Sequence, residues 1–475
     1  MELIPTDIVV VGAGPGGYAA AFYAADLGKK VILIEQDPRL GGVCMNRGCI
    51  PSKALLNAAH AIDTARESAH RGIFFGEPRI DIDKMRAWKE SILQKLGSGI
   101  AGLARMRGVT VMHGKGHFED SSTLRVETAE GQKYVRFDKA IVAVGSRPAL
   151  PRAFDLGNPR VMTSTEALEI PEIPENLLII GGGYIGMELG SVYASLGSKV
   201  TVIEALDSIL AGGADPDLVR PVAAHAKKAF KEIRLKAKVL KMTSAGKQVK
   251  VVSEHEGKTV EELYDRVLVS VGRVPNGQDM GLENTKVERD EKGFIKIDER
   301  MASTDPNIYA IGDIAGGLML AHKASKEARI AVDNLAGEGR SVNRDYVIPA
   351  VVFTDPEVAW VGLTEQEAKQ KGIAVEVAKF PWGASGRALT LDRVDGLTKL
   401  ILEPETHRIL GVGIVGHGAA ELIGEGAVAV EMGATAHDLA SIVHPHPTLS
   451  ETVMEAAESF FGYSTHIHTR KREGH

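Results

Sequence analysis

Two copies of one glycine-rich unit constrain the fold of this chain more than any other feature. In each copy a short apolar strand (DIVVV, then LLII) leads into G-x-G-x-x-G, a helix and a second strand that ends on glutamate. The glycines and glutamate of the first copy are Gly12, Gly14, Gly17 and Glu35. Those of the second copy are Gly181, Gly183, Gly186 and Glu204. Each glutamate lies 23 residues after its first glycine, so the sequence predicts two dinucleotide-binding units.

The residue types of this unit suit a dinucleotide. The glycines allow a tight turn and a close approach of the backbone to a pyrophosphate, and the free N–H groups of the following helix attract it. A carboxylate after the second strand accepts hydrogen bonds from the adenosine ribose. Glu204 would repel the 2′-phosphate of NADP, so the second unit is expected to bind NAD.

Composition excludes several other classes of protein. The chain has 475 residues, enough for about two to four domains, and its net charge of −6 gives no sign of nucleic-acid binding. The stretch 8–25 carries no charge over 18 residues, but the glycines in its middle make it strand, turn and helix, not a membrane span. The N-terminus shows no targeting segment, so we expect a cytoplasmic protein without membrane or nucleic-acid partners.

Cys44 and Cys49 are the two cysteines of the chain. In a regular helix their Cα atoms would lie ~8.7 Å apart, whereas a disulfide needs about 4.4–6.8 Å, so a bond between them requires a bend, which Gly48 permits. Spacing alone leaves two readings equally open, a redox pair or two unrelated buried thiols. Two nucleotide units beside the pair indicate an electron path from nicotinamide through flavin to disulfide. The expected cofactors are therefore FAD and NAD.

The rest of the chain completes an α/β architecture. We predict two Rossmann-like domains, at 1–150 for FAD and 151–277 for NAD, then a segment at 278–350 that returns to the first domain. The remainder, 351–475, alternates antiparallel strands and helices and predicts an α+β domain; that it is a dimerisation domain is implied only by the family resemblance given below. In the returning segment, Asp313 follows a strand, where it either contacts the flavin or serves as a helix N-cap.

The stretch HPHPTLSE carries two histidines close to a glutamate. A metal site at His444 and His446 has no supporting cluster elsewhere, so no metal is predicted. The remaining readings are a surface loop or a general base, with Glu451 orienting its far nitrogen. Thr448 or Ser450 is expected to cap the next helix.

These motifs together resemble the flavoprotein disulfide reductases. The resemblance rests on GGVCMNRGCIPSK, GGGYIGMELG, YAIGD, MLAHKA, VAWVGLTE and HPHPTLSE, and it covers essentially the whole chain in order. It is closest to the members that oxidise dihydrolipoyl groups. Two departures are Val43, where many relatives have threonine, and Pro445, where alanine is common.

The resemblance implies roles for individual residues. Cys44 would exchange with the substrate dithiol, and Cys49 would face the flavin. His446, oriented by Glu451, would serve as the base at the disulfide of the other subunit, which makes a homodimer necessary. A lysine–glutamate pair would lie beside the flavin, and further backbone positions would contact FAD or NAD. These residues are Lys53 and Glu188 for the pair, Gly42, Gly116, Gly145, Asp313 and Ala321 for FAD, and Val239 and Gly272 for NAD.

The resemblance also implies partners and a rival function. The expected partner is the lipoyl-bearing acyltransferase core of a 2-oxo acid dehydrogenase complex, or the glycine cleavage system. The alternative is a glutathione-type disulfide reductase that uses NAD(P)H, which Tyr184 supports because it resembles the residue that gates the nicotinamide pocket there. Glu204 argues against that alternative.

Overall fold

The first nucleotide-binding unit is built on a mixed sheet. A computed structural model describes residues 3–337 and 346–468. Its first elements are β1 (Leu3–Val11), α1 (Pro15–Asp26), β2 (Val31–Glu35), α2 (Gly42–Arg47), α3 (Cys49–Glu67), α4 (Ile82–Met106), β3 (Thr110–His113), β4 (Lys115–Asp120), β5 (Thr123–Thr128), β6 (Gly131–Val142) and β7 (Ser146–Pro148). The sheet order is β3-β2-β1-β6-β5-β4. The strands from β3 to β6 along this order run parallel, whereas β4 and β5 form an antiparallel extension.

Local sequence explains the start of this unit. The apolar run DIVVV lies inside β1, and Val9 and Val10 have no exposed surface, as expected for a strand covered on both faces. Helix α1 begins with Pro15, whose missing N–H costs nothing at the first helical position. The carboxyl ends of β1 and β2 therefore lie side by side at the edge where α1 begins.

The second nucleotide-binding unit has an all-parallel sheet. Its elements are β8 (Val161–Met162), α5 (Ser164–Ala167), β9 (Asn176–Ile180), α6 (Tyr184–Ser195), β10 (Lys199–Ile203), α7 (Pro216–Ala229), β11 (Glu232–Arg234), β12 (Lys238–Ala245), β13 (Gln248–His255), β14 (Lys258–Tyr264), β15 (Arg266–Val269) and β16 (Arg273–Pro275). The order β11-β10-β9-β15-β8 forms the parallel sheet, and β12-β13-β14 forms an antiparallel layer. Strand β16 pairs with β7 and so joins the two units.

The chain then returns to the first sheet and ends in an antiparallel one. The returning elements are β17 (Ile308–Ala310) and α8 (Ala321–Leu335), and β17 pairs in parallel with β6. The last elements are β18 (Ala350–Val352), β19 (Glu357–Gly362), α9 (Glu365–Lys371), β20 (Glu376–Pro381), α10 (Gly386–Leu391), β21 (Leu397–Leu402), β22 (Ile409–Gly416), α11 (Ala419–Glu431), α12 (Ala436–Ser441) and α13 (Glu451–Phe461). Their sheet order is β18-β19-β22-β21-β20.

A buried charge cluster joins the second unit to the C-terminal sheet. Lys399 in β21 has no exposed side-chain surface, and its Nζ lies 2.8 Å from Asp215 Oδ2 and 3.0 Å from Asp217 Oδ1. Glu365 at the start of α9 is its third partner. Asp215 also accepts the Glu365 N–H at 3.0 Å. The three carboxylates have the spacing of a metal site, but the Lys399 ammonium lies among them and supplies the positive charge.

The α/β fold class expected from the sequence is confirmed. Two parallel sheets each carry a glycine turn at a strand end, and an antiparallel sheet with helices follows them. Within 3–337 and 346–468, no helix is long and apolar enough to cross a membrane. The end of the basic tail at 469–475 lies outside the described residues.

Candidate active site

Glycine is favoured at each of the three positions of the first turn for a different structural reason. Gly12 has φ +98°, and a β-carbon on it would lie 2.5 Å from the Ala143 carbonyl oxygen. A β-carbon on Gly17 would lie 1.8 Å from the Gly12 oxygen, so helix and turn touch there. Gly14 differs, because its nearest neighbour would be the Cα of Gly42 at 3.9 Å. The middle glycine therefore leaves room for a ligand to approach the backbone.

The second turn repeats this arrangement. Gly181 has φ +106°, and a β-carbon on it would lie 2.5 Å from the Ser270 oxygen. A β-carbon on Gly186 would lie 2.1 Å from the Gly181 oxygen, whereas one on Gly183 would meet nothing within 4 Å. Both turns thus have the tight corner, the open middle position and the close helix contact that a pyrophosphate site requires.

The carboxylates of Glu35 and Glu204 each accept a hydrogen bond from the backbone of the adjacent glycine turn. Glu35 Oε2 accepts the Ala13 N–H at 2.8 Å, and its other oxygen accepts the N–H two residues further on at 2.9 Å. Glu204 does the same, at 2.6 Å with Gly182 and at 2.7 Å with the N–H two residues further on. Burial raises the pKa of Glu35, and backbone N–H bonds act against that rise. Each carboxylate is therefore fixed at the strand end, where a ribose would lie.

The cysteine pair lies at a break between two helices. Helix α2 ends at Arg47, Gly48 interrupts the helical path, and Cys49 is the first residue of α3. A β-carbon on Gly48 would lie 3.0 Å from the Val43 oxygen, so the break itself favours glycine. Both cysteines are free thiols, and their side chains form a hydrogen bond with each other.

The two thiols differ strongly in acidity. The hydrogen bond from Cys44 is the main cause that lowers the pKa of Cys49 to about 7, and the Lys53 ammonium lowers it further, against the effect of burial. The position of Cys49 at a helix N-terminus also favours a thiolate. The same hydrogen bond, together with burial, raises the pKa of Cys44. The negative charge of the reduced pair therefore resides mainly on the Cys49 sulfur.

Glu188 joins the cysteine helix to α6 and to the start of the C-terminal sheet. Its carboxylate accepts two bonds from Lys53 Nζ, at 2.8 and 3.0 Å, and one from Ser52 Oγ at 2.9 Å. It also accepts the Phe353 N–H at 3.0 Å. The Phe353 ring lies under the same ammonium, with Nζ 4.3 Å from the ring centroid. The Lys53–Glu188 pair expected from the sequence is therefore present, and Ser52 and Phe353 support it.

One cavity of about 780 Å³ connects the first glycine turn, the cysteines and α6. This volume falls within the ~300–1,000 Å³ of typical ligand pockets. The residues expected at FAD that line it are Gly12, Gly14, Glu35, Gly42, Cys49, Lys53, Gly116, Gly145, Asp313 and Ala321. The open Gly14, the carboxylate at the ribose position and the thiol at the far end fit an extended flavin dinucleotide.

The other expected contacts lie outside this cavity. Gly17 packs behind the first turn, and the second glycine turn with Glu204 belongs to the second unit. Val239 lies at an irregularity in β12, and Gly272 accepts the Ala149 N–H at 2.9 Å just before β16. The role of these residues in NAD binding stays a prediction.

Asp313 faces the cavity and is not a helix cap. It lies inside a short 3-10 turn, where its carboxylate accepts a hydrogen bond from the Ser146 hydroxyl. Arg273 Nε bonds the same hydroxyl at 2.7 Å and lies 3.9 Å from the carboxylate. The next helix, α8, has Leu320 at its N-cap position, so the N-cap reading was wrong.

The two histidines of HPHPTLSE point to different carboxylates. His446 Nδ1 lies 2.8 Å from Glu451 Oε1, and Glu451 Oε2 accepts the Thr448 N–H at 2.7 Å. His444 Nε2 lies 2.6 Å from Glu425 Oε1. The His446 side chain is 69% exposed and is not among the residues that line the cavity within the described chain. A single chain therefore holds the histidine–glutamate pair apart from the cysteines.

The prediction that Thr448 or Ser450 caps the next helix was correct in position but wrong about the hydrogen bond. Ser450 does occupy the N-cap position of α13, but its side chain makes no bond to a helix N–H. The Thr448 hydroxyl donates to the Pro445 oxygen at 2.7 Å and bonds the Ser450 hydroxyl. These hydroxyls hold the loop that carries His446 instead of closing the helix.

Sequence reasoning missed several side chains that line or support the cavity, and four of them contact residues already described. These four are Arg47, Ser52, Arg273 and Phe353. Arg47 lies between the cysteines and bonds Asp37 Oδ2 at 2.5 Å, just beyond Glu35. Of these four residues, only Ser52 had a local signal in the sequence, namely its position in the CIPSK motif directly before Lys53. The contacts of Arg273 and Phe353 depend on the tertiary fold.

The chain belongs to the pyridine nucleotide-disulphide oxidoreductase family. The family model matches residues 6–328, and the model of the family's dimerisation domain matches residues 348–457. Curated relatives include the dihydrolipoyl dehydrogenases of Vibrio cholerae, 48% identical over 98% of both chains, and of Geobacillus stearothermophilus, 44% identical over 98% of both chains.

Solved structures show the same fold. LpdA from Mycobacterium tuberculosis matches with a TM-score of 0.89 at 28% identity, over 96% of this chain and 99% of that one. The HOCl-induced flavoprotein disulfide reductase RclA from Escherichia coli matches with a TM-score of 0.86 at 30% identity, over 96% and 99% of the chains.

Proposed function

We propose that the protein oxidises dihydrolipoyl groups to the cyclic disulfide and reduces NAD⁺ to NADH, with FAD as its bound cofactor. One observation carries this proposal: a single cavity contains the first glycine turn, the cysteine pair and the start of α6 in the second nucleotide-binding unit. Relatives at 43–48% identity over 98% of the chain are named dihydrolipoyl dehydrogenase. Glu204 at the strand end, with no arginine directly after it in the sequence, supports NAD over NADP.

The cysteines perform the exchange with substrate. A substrate thiolate attacks the Cys44 sulfur of the oxidised pair, and Cys49 leaves as a thiolate, which its pKa of about 7 favours. The second substrate thiolate then attacks the substrate sulfur of the mixed disulfide, closes the cyclic product and releases Cys44 as a thiolate, which takes back a proton removed from the substrate thiols. Two electrons now reside on the protein. When bound in the cavity, FAD supplies the remaining chemistry, because a flavin takes an electron pair from sulfur and passes it to NAD⁺ as hydride.

His446 is proposed as the proton acceptor for the substrate thiol. An unperturbed thiol near pKa 8.5 is only about 3% ionised at pH 7, so a base raises the concentration of the attacking thiolate. Glu451 holds the ring through Nδ1 and leaves Nε2 free for this task. Because His446 lies outside the cavity of its own chain, we infer that the partner subunit's His446 serves this cysteine pair.

The homodimer is supported by the dimerisation domain at 348–457. A lipoyl-bearing acyltransferase core of a 2-oxo acid dehydrogenase complex, or the glycine cleavage system, is the proposed partner because its lipoyl group would be the substrate. A cytoplasmic location stays a prediction from the sequence.

Steady-state kinetics test the proposal. The purified protein is expected to reduce NAD⁺ with dihydrolipoamide, and to do so far better than it oxidises NADPH with glutathione disulfide. Cys44→Ser and Cys49→Ser are expected to abolish the first reaction without loss of bound flavin. The electron transfer from NADH to ferricyanide serves as the control, since it needs flavin and nucleotide but not the cysteines.

Two results would overturn the proposed function. The first is full dihydrolipoamide activity in either cysteine variant. The second is a preference for glutathione disulfide with NADPH, which would favour the glutathione-type alternative.

A further inference from the structure

The C-terminal segment after α13 folds back onto that helix. We name residues 463–468 the clasp. Glu455 in α13 is buried, and the clasp takes up both of its carboxylate oxygens: the Ser464 hydroxyl donates to Oε2, and His466 Nδ1 bonds Oε1. The Glu455 side chain is only 4% exposed, whereas that of His466 is 50% exposed. A carboxyl group buried to this degree needs such hydrogen-bond partners.

Apolar contacts hold the clasp in place. The Tyr463 ring stacks on Phe461, with centroids 5.6 Å apart and planes 9° from parallel. Ile467 packs against the apolar core of the C-terminal sheet. The clasp is therefore anchored on both sides of His466.

The clasp lies next to the proposed proton acceptor. Glu455 follows Glu451 by four residues, so the two carboxylates lie on one face of α13, one turn apart. Glu451 bonds His446 and Glu455 bonds His466, which makes two histidine–carboxylate pairs side by side. The charge of His466 reaches Glu451, where it adds to the bonds from Thr448 and His446 that lower the pKa of Glu451 against the effect of burial.

Two other charged groups lie near the clasp. Glu458, on the last turn of α13, has its pKa raised by burial and by Glu455, while a backbone bond from Thr465 and the charge of His466 act against that rise. Its Oε2 is buried and has no hydrogen-bond partner among the residues that the structure describes. In the loop before α13, His444 is already paired with Glu425 of α11. A protonated His466 therefore contacts Glu455 directly and acts on Glu451 and Glu458 from further away.

We propose that Glu455 and His466 are positioning residues, a second histidine–carboxylate pair that holds the His446–Glu451 pair ready to accept a proton. This inference rests on the proposed function. The clasp fixes the first two turns of α13, which carry Glu451. A protonated His466 also favours ionised Glu451 and neutral His446, and only neutral imidazole can accept a proton.

The test compares His466→Ala with His468→Ala in the full-length holoenzyme. His468 lies two residues further on, is exposed, and is the matched control. We expect His466→Ala to lower kcat/KM for dihydrolipoamide about fivefold, mainly through kcat, since it removes a charge about one helical turn from the reacting pair. We expect the acid limb of its pH profile to move up by roughly 0.3–0.5 units. NADH-to-ferricyanide activity should remain unchanged.

A second variant separates charge from hydrogen bonding. His466→Asn keeps a donor near the Nδ1 position without the charge, so it should restore most of kcat at neutral pH but retain the shifted acid limb. Profiles of His466→Ala that match those of His468→Ala would overturn the inference. So would an equal loss of both activities in His466→Ala and His466→Asn, which would indicate a purely structural role. Absence of dihydrolipoamide activity in the wild-type protein would instead refute the proposed function.

Discussion

Removal of the Cys44 thiol is expected to raise the pKa of Cys49. The hydrogen bond from Cys44 is the largest influence on Cys49, and with the Lys53 ammonium it outweighs burial and the Glu188 carboxylate, so that the pKa is about 7. Because the chain has two cysteines, Cys44→Ala leaves Cys49 as the only thiol. Cys44→Ser is the matched control, since its hydroxyl keeps a donor at the same place.

The expected rise in the pKa of Cys49 follows from the influences that remain once the Cys44 bond is removed. Without the Cys44 bond, the Lys53 ammonium and a backbone N–H bond oppose burial and Glu188, and burial is the largest of these four influences. The pKa of Cys49 should therefore reach the unperturbed value of about 8.5. This is a rise of about 1.5 units, or ~2 kcal/mol in favour of the thiol form. At pH 7 the thiolate fraction would fall from about one half to about 3%, and the alkylation rate would fall about 15-fold.

Alkylation of the reduced variants by iodoacetamide, followed from about pH 5 to about pH 10, measures this pKa directly. The ultraviolet absorbance of the thiolate gives an independent reading. Both variants should titrate near pH 8.5 once unfolded in denaturant. Identical titration curves for folded Cys44→Ala and Cys44→Ser would refute the reasoning, because the hydrogen bond would then have no role in the acidity of Cys49.

Three further changes have definite expected outcomes. Gly186→Ala should abolish NAD binding in a fluorescence titration, because its β-carbon would lie 2.1 Å from a carbonyl oxygen, whereas Gly183→Ala, with nothing within 4 Å, should fold and bind NAD only more weakly. Lys399→Met leaves buried Asp215 without its cation, and leaves Asp217 and Glu365 with only the more exposed Lys379. It should cost about 3–5 kcal/mol of stability in thermal unfolding. Lys379→Met, whose side chain is 42% exposed, should cost less than about 1 kcal/mol. Glu188→Gln should lower the pKa of Cys49 in the alkylation assay, since the Glu188 charge raises it.

Each of these three predictions would be contradicted by a specific result. Equal NAD affinities for Gly183→Ala and Gly186→Ala would contradict the assigned difference between the two positions. Equal unfolding temperatures for Lys399→Met and Lys379→Met would show that the buried cluster does not hold the units together. A higher pKa of Cys49 in Glu188→Gln would mean that Glu188 acts mainly by placing Lys53.

Features set by local backbone geometry could be predicted from the sequence. The glycine spacing predicted both turns because a β-carbon at the first and third positions collides with nearby carbonyl groups. The spacing of Cys44 and Cys49 required a bend, and the helix is interrupted at Gly48. These are constraints within a few residues of chain, which sequence reasoning captures well.

Features made by distant segments could not be predicted. The bonds of Glu188 to Ser52 and Phe353 span 136 and 165 residues, and no local pattern marks Phe353 or pairs Ser52 with Glu188. Asp313 matched the composition of a helix cap equally well, and only the position of Ser146 on β7 decided between the readings. The pairing of His466 with Glu455 likewise depends on the path that the chain takes after α13.

The bonds of Glu35 and Glu204 to their own turns have a consequence for protein engineering. Each carboxylate is already anchored by two backbone N–H groups, so it meets the nucleotide with little loss of conformational freedom. Replacing Glu204 with arginine to accept NADP would therefore also release two N–H groups and loosen the turn. A change of nucleotide preference in this scaffold should be designed by grafting the whole segment from the glycine turn to the strand end.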